Sequence, residues 1–239
     1  MCGFAGFIDF KEPYSTQEDL IRMQKSIQHR GPDDQGHFYR PGIGLCHARL
    51  AILDLSQKAH QPMRRGSLTL VYNGEIFNYK TLCRELEDLG HVFESQSDTE
   101  VVLRAYEEWG QQSLQRFNGM FSFAIYDEKN KKLFLARDRR GIKPLYYYYN
   151  GDHFVFASEM KAIEKNPHFK KNISLQAVGD YLHLGYIPGV QAIWEKTYRL
   201  LPGHSVVVDI DHNTLEVHNY DNSYFTQTLR KDFDTIKKD

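Results

Sequence analysis

At 239 residues, with 41% hydrophobic and 26% charged side chains, the chain can bury a full core, and its globular composition excludes the disordered and membrane classes. A formal net charge of −1, with acids and bases interspersed, offers no field for nucleic acid or an anionic membrane, so neither is an expected partner. Three scattered cysteines, Cys2, Cys46 and Cys83, fit a reducing, cytoplasmic compartment better than a disulfide framework; the first residues show no basic stretch followed by an apolar run, and no stretch of the 239 residues approaches membrane-spanning length.

In chain order, "CGFAGFIDF" reads as a first strand, and "STQEDLIRMQKSIQHRGPDD" as a helix with Leu20, Ile21, Met23 and Ile27 on one face, stopped by "RGPDD". "GIGLCHARLAILDLS" has the continuous apolar character of a buried strand. "SLTLVYNGEIFNY" predicts a strand running into an Asn-Gly turn, and "YKTLCRELEDLG" a helix closed by Gly90. "SDTEVVLRAYEEWG" predicts a second helix, opened by a capping box of Ser97 and Glu100 and ended by Gly110. Four closely spaced strands follow: "MFSFAIYD", "KLFLARD", "PLYYYYN" and "DHFVFAS". A short helix from Glu159, another in "SLQAVGDYLHLG" and a hairpin in "SVVVDIDHNTLEVHNY" complete the pattern, and a charged tail closes the chain. Strands and helices come in blocks without strict βαβ alternation, so the expected class is α+β, with antiparallel sheets sandwiched between helices.

Cys2 has two readings. As a core residue it is a small hydrophobe opening a strand. If Met1 is removed, it carries a thiol and a free α-amine on one carbon, with reference pKa values of about 8.5 and about 7.7–8.0, so one residue supplies both nucleophile and base. Four distant segments bear on the choice. "HARLAI" places Arg49 near a strand end, where a guanidinium can grip a carboxylate, although an isolated Arg is more often a surface ion-pair partner. "YNGEI" offers the Asn73 amide and the Gly74 N–H as adjacent donors of the kind an oxyanion hole needs; alone it reads as a plain hairpin turn. "SDTE" sets Asp98 at a helix N-terminus, to complement the macrodipole or to bind an ammonium. "RGPDD", with Arg30 and Asp33 around Pro32, alone reads as a helix stop.

The ordered set "MCGFAGF", "HRGPD", "HARLAILDLS", "QPM", "YNGEIFNY", "SDTEVV", "GMFSFAIYD", "ARDRRGIKPLYY", "FASEMKAI" and "RLLPGH" resembles the N-terminal glutaminase domain of glutamine-hydrolysing asparagine synthetase, a class II glutamine amidotransferase of the N-terminal-nucleophile hydrolases. It runs from Cys2 to about His204. The resemblance implies a four-layer αββα sandwich over residues 1–204, with residues 205–239 forming a hairpin and linker toward a synthetase domain. It implies Cys2 as nucleophile and base, Asn73 and Gly74 as the oxyanion hole, and Arg49 on the α-carboxylate of L-glutamine. It further implies Glu75 and Asp98 on the α-ammonium and backbone around Leu50 and Ile52 lining the pocket. One cation, two acids and two donors make a complete complement for that amino acid.

No "SGGxDS" phosphate loop is present in these 239 residues. ATP and Mg are therefore implied only for a missing synthetase domain or subunit that receives ammonia, and no cofactor is expected in this segment. An excised domain and a standalone glutaminase both fit, a homodimer is compatible with either, and the ammonia acceptor stays open. A non-catalytic docking module and a hydrolase of another amide are the competing readings. Tyr186, Trp194 and Tyr198 fit either a docking face or ordinary packing. No metal site is expected: the histidines show neither HxxxH nor HExxH spacing, and His29 and His47 read as structural residues.

Overall fold

Alternation along the strands decides the layering. In the computed structural model, which describes residues 1–221, strand β1 (Gly3–Asp9) turns Phe4 and Ile8 to one side and Ala5 and Phe7 to the other. It is followed by α1 (Gln17–Ser26), β2 (Asp34–Arg40), β3 (Ile43–Arg49), β4 (Met63–Arg65), β5 (Leu68–Ile76), α2 (Tyr79–Asp88) and α3 (Asp98–Trp109). Then come β6 (Gly119–Asp127), β7 (Lys132–Arg137), β8 (Tyr146–Tyr149), β9 (His153–Ala157), α4 (Met160–Ile163), α5 (Leu175–Leu184), β10 (Thr197–Arg199), β11 (His204–Asp209) and β12 (Thr214–Asn219).

Two six-stranded sheets result, in the orders β10-β8-β9-β1-β3-β2 and β12-β11-β7-β6-β5-β4, with every pairing antiparallel. Phe4, Ile8, Leu45, Val71, Ala124, Leu135 and Phe156 fill the space between the sheets. On the outer face of the first sheet, Phe7, Cys46 and Val155 pack on Leu20, Met23 and Ile27 of the α1 segment and on Ala162 and Ile163 of α4. On the outer face of the second, Leu70, Phe121, Phe123 and Phe134 pack on Leu82 and Leu86 of α2 and Val102 and Ala105 of α3. The order is helices, sheet, sheet, helices, the α+β sandwich expected from the sequence.

Several local expectations change. "YNGEI" makes no turn: Asn73 and Gly74 lie inside β5, opposite Ser122 and Phe121 of β6. The Asn-Gly preference for turns gives way because Gly74 meets β6 so closely that an added Cβ would sit 2.5 Å from the Met120 carbonyl oxygen and 2.8 Å from the Phe121 Cα. The run after His47 is no continuous strand. Strand β3 stops at Arg49, and residues 50–56 leave the sheet as a loop with Ile52, Leu53 and Leu55 exposed. The Ser97 hydroxyl caps α3 through the Thr99 N–H, but Glu100 does not close a capping box. Its carboxylate accepts from the backbone N–H groups of Glu94 and Ser95 and pairs with buried Arg104. The reciprocal box occurs at α1, between Thr16 and Asp19.

Gly90 and Gly110 close α2 and α3 with positive φ angles of 96° and 54°. The hairpin after residue 204 is present, and its β11 strand pairs with β7, continuing the second sheet. Of the three aromatics considered for docking, Trp194 is half-buried and donates its indole N–H to Glu164, Tyr198 packs on Tyr147, and Tyr186 is exposed. The expected tail from residue 223 onward lies outside the described residues.

Candidate active site

The cleft opens where the starts of β1 and α3, the end of β3, the middle of β5 and the turn before β8 meet. It has a volume of about 340 Å³, and its lining includes every residue given a site role from the sequence: Cys2, Arg49, Leu50, Ile52, Asn73, Gly74, Glu75 and Asp98. Met1 lies in its mouth.

Cys2 is held by Arg30 and by the backbone of Leu50. The guanidinium of Arg30 donates to the Cys2 carbonyl at 2.9 Å through Nε and pairs with Glu159 at 2.8 Å. The Arg30 side chain lies so close over Gly3 that an added Cβ there would meet Arg30 Cδ at 2.8 Å. The Leu50 N–H donates to the Cys2 sulfur at 3.3 Å. Burial raises the thiol pKa, while the Leu50 contact and the charges of the N-terminus, Arg49 and Lys143 pull it back down.

The edge of β5 explains how Gly74 enters the cleft. In an antiparallel pair, alternate residues aim their N–H groups away from the partner strand. The Tyr72 N–H meets the Gln61 side chain at 2.7 Å and the Ile76 N–H meets Asp98 at 2.9 Å, both away from β6. Across the ladder, the N–H and C=O of Phe121, the partner of Gly74, are taken by Asp138. The Gly74 N–H, between Tyr72 and Ile76, therefore points off the same free edge. Asn73 is 1% exposed, and its Nδ2 is buried without a hydrogen-bond partner. A buried amide donor left unmade costs about 1–3 kcal/mol, so its retention in the wall of a cleft calls for an acceptor from outside the chain.

The acids differ in their settings. Buried Asp98 accepts from the Tyr72 hydroxyl at 2.6 Å and from the Ile76 N–H, and burial raises its pKa against those bonds. Glu75 is half-buried, and burial together with the charge of Asp98 pushes its pKa up. Arg49 is buried, and two of its N–H groups hold the carbonyls of Asp54 and Ser56, so the 50–56 loop is wound around its guanidinium. Asp33 fixes the same loop by accepting from the Ala51 N–H at 2.8 Å.

Sequence reasoning gave no role to Tyr72, which carries Asp98, nor to Arg30 and Asp33, although their "HRGPD" stretch was visible. It also passed over Lys143, inside the quoted "RDRRGIKPLYY", which lines the cleft and is 5% exposed. The signal was a motif without an individual chemistry.

A histidine grouping that spacing did not suggest lies elsewhere, at the far end of β1. Asp9, His153 and His168 bring possible ligand atoms within 4.8 Å of one another. The two rings are stacked, 3.9 Å apart and 9° from parallel, so their in-plane lone pairs run side by side where a metal needs them to converge. Asp9 already accepts from the Ser15 N–H and hydroxyl and pairs with His153 Nδ1.

Comparison with known proteins gives this geometry its context. Residues 1–221 match the glutamine amidotransferase domain family. A Methanocaldococcus jannaschii protein provisionally named a glutamine-hydrolysing asparagine synthetase 2 is 40% identical over 242 residues, covering 92% of this chain and 46% of that one. The glutamine-hydrolysing asparagine synthetase 3 of Bacillus subtilis is 37% identical over 218 residues, covering 88% of this chain and 35% of that one. The chain thus spans half or less of the length of these relatives. Among solved structures, the glutamine phosphoribosylpyrophosphate amidotransferase of B. subtilis superposes with a TM-score of 0.67 at 21% identity, over 93% of this chain and 50% of that one, a likeness of fold. No helix among the described residues is long and apolar enough to cross a membrane. The chain belongs to the class II glutamine amidotransferase domain family, whose architecture is that of the N-terminal-nucleophile hydrolases, and is related to the glutamine-hydrolysing asparagine synthetases.

Proposed function

We propose that this domain hydrolyses the side-chain amide of L-glutamine to glutamate and ammonia, with Cys2 as nucleophile, and that the ammonia serves an ATP- and Mg-dependent, asparagine-synthetase-like amidation on a separate domain or subunit. The observation that carries the reading is the unpartnered Asn73 Nδ2, buried in the cleft that Cys2 lines, on a strand whose next residue, Gly74, aims its N–H off a free edge.

In this mechanism the α-amine freed by loss of Met1 takes the Cys2 thiol proton, and the sulfur attacks the side-chain amide carbon. Asn73 Nδ2 and the Gly74 N–H hold the resulting oxyanion, each donor contributing about 10²–10³ in rate. The α-ammonium protonates the departing nitrogen, the C–N bond breaks, and a γ-glutamyl thioester remains. Water attacks that thioester, its proton passes back through the α-amine to the sulfur, and glutamate leaves. The Arg49 guanidinium takes the substrate α-carboxylate with the N–H groups that its loop does not use, Glu75 and Asp98 take the α-ammonium, and Leu50 and Ile52 flank it. Both acids serve as carboxylates, so the upward push that burial gives them makes ammonium binding weaken as pH falls.

The test is intact-protein mass spectrometry after brief exposure to 6-diazo-5-oxo-norleucine, alongside an ammonia-release assay on glutamine. Loss of Met1, one adduct mapped to Cys2 and glutamate formation that disappears in Cys2→Ala are expected. Wild-type turnover in Cys2→Ala overturns the reading, and a retained Met1 with no adduct points to a non-catalytic docking module.

A further inference from the structure

Lys143 is a charged side chain that the fold goes to some length to place and then leaves without a partner. It is 5% exposed and lines the Cys2 cleft, yet its ammonium makes no hydrogen bond and no ion pair with any described residue. Only the more distant charges of Cys2, Glu75 and Asp138 favour its protonated form, and burial works against that form. The stem is buried while the ammonium reaches the cleft, and a cation held there without a counter-charge is placed for an anion that enters the cleft.

The backbone that carries Lys143 is fixed on both sides. The Asp138 carboxylate, 1% exposed, accepts from the N–H groups of Phe121, Arg140, Ile142 and Lys143 at 3.0–3.2 Å. The Arg137 guanidinium donates to the carbonyls of Gly141, Lys143 and Leu200 at 2.6–2.7 Å. Between them Gly141 turns the chain at a φ of 64°, in the left-handed region that only glycine enters freely. Every partner in this clamp is spent on backbone, and the side chain it delivers to the cleft is the lysine. Such a rigid support is what positions a group in a reaction site.

We propose that Lys143, together with Arg49, holds Cys2 in its thiolate form, acting as a positioned electrostatic partner of the nucleophile. The inference rests on the reading of Cys2 as the reacting group. Its chemistry is the ionisation of the thiol, with the proton released to the α-amine or to solvent and the negative sulfur facing the ammonium across the cleft. The other charged and titratable groups around the sulfur are Arg49 at the end of β3, Glu75 and the neutral Tyr72 hydroxyl on β5, Asp98 at the start of α3, Arg30 with its partner Glu159, Asp138 behind the lysine, Asp54 in the 50–56 loop and the N-terminal ammonium. Arg30 is paired with the Glu159 carboxylate, whereas the Arg49 guanidinium meets only neutral carbonyls and adds its charge to that of Lys143 at the sulfur.

The test needs no glutamine. Alkylation of Cys2 by iodoacetamide, a neutral reagent, is followed against pH by peptide mass spectrometry, which separates it from Cys83 and from buried Cys46. Replacing the ammonium by a neutral chain in Lys143→Met should move the midpoint of the profile up by about one pH unit, roughly ten-fold less thiolate at neutrality, as expected for loss of a nearby opposite charge. Lys143→Arg should restore the wild-type midpoint, which a merely space-filling role would not require, and Lys143→Gln repeats the neutral substitution if the Met variant does not fold. A midpoint unmoved in a folded neutral variant overturns the proposal even if glutamine is hydrolysed. A shifted midpoint in a protein that does not hydrolyse glutamine leaves the proposal standing and removes the glutaminase reading.

Discussion

The two ends of β1 place buried polar groups in opposite situations. At the Asp9 end the carboxylate is saturated: the Ser15 N–H at 2.7 Å, the Ser15 hydroxyl at 3.0 Å and His153 at 2.9 Å share it, and the atom left over is a ring nitrogen of His168, a histidine that burial tends to keep neutral. At the Cys2 end, about 20 Å away along the strand, the Asn73 amide donor has no partner and the Lys143 ammonium no counter-ion among the described residues. Both ends hold polar residues in a packed interior. At the Cys2 end the unpartnered groups line a cleft with room for a ligand, and that contrast separates a structural network from a site.

The contrast can be broken by exchange of effects. Asn73→Ala should lower kcat for glutamine by about 10²–10³ with a smaller change in KM, because the lost donor acts on an oxyanion present only in the transition state. Steady-state kinetics on the purified variant decide it, and an effect confined to KM would make Asn73 a binding residue instead. Asp9→Ala should do the reverse, costing about 3 kcal/mol of stability in urea melts by stranding the Ser15 and His153 donors, while kcat/KM stays within two-fold of wild type. A loss of activity without a loss of stability would mean that the two ends are coupled.

A smaller effect sharpens the middle case, His47, whose buried ring bonds to the Tyr72 carbonyl at 2.9 Å through Nε2 and leaves Nδ1 unpartnered. Burial lowers its pKa from 6.5 to about 4. The unfolded chain therefore binds the proton first, and this contribution to stability is full above about pH 6.5 and declines as pH falls toward 4. Between pH 6.5 and 5 the loss should be about 2 kcal/mol, and His47→Gln should remove that part of the slope. An unchanged slope in the variant would assign the acid sensitivity to other groups.

Block-wise ordering of strands and helices was enough to give the layered class, because the period of apolar residues reports which faces must be buried. At the Asn-Gly pair and at the capping box local chemistry misled for one reason. Asn-Gly is a turn signal only where nothing else claims the backbone, and here β6 claims it on one side through a contact that only glycine allows. Ser97 and Glu100 have capping-box spacing, but Arg104 and the 94–95 backbone offer the carboxylate more partners than the helix end does. The partners of Trp194 and Tyr198, Glu164 and Tyr147, likewise lie too far away in sequence for spacing to reveal.

The sequence by itself determined the layered α+β class, the family and the set of residues whose chemistry suits a small zwitterion, since residue type and order carry that information directly. Only the tertiary structure decided that strands β1, β3 and β5 bring those residues to one cleft, that Asn73 is buried without a partner, and that the Asp138 and Arg137 clamp delivers an unpaired lysine to the same wall. Whether a polar atom is satisfied depends on neighbours contributed by distant segments, and no local pattern encodes an absence.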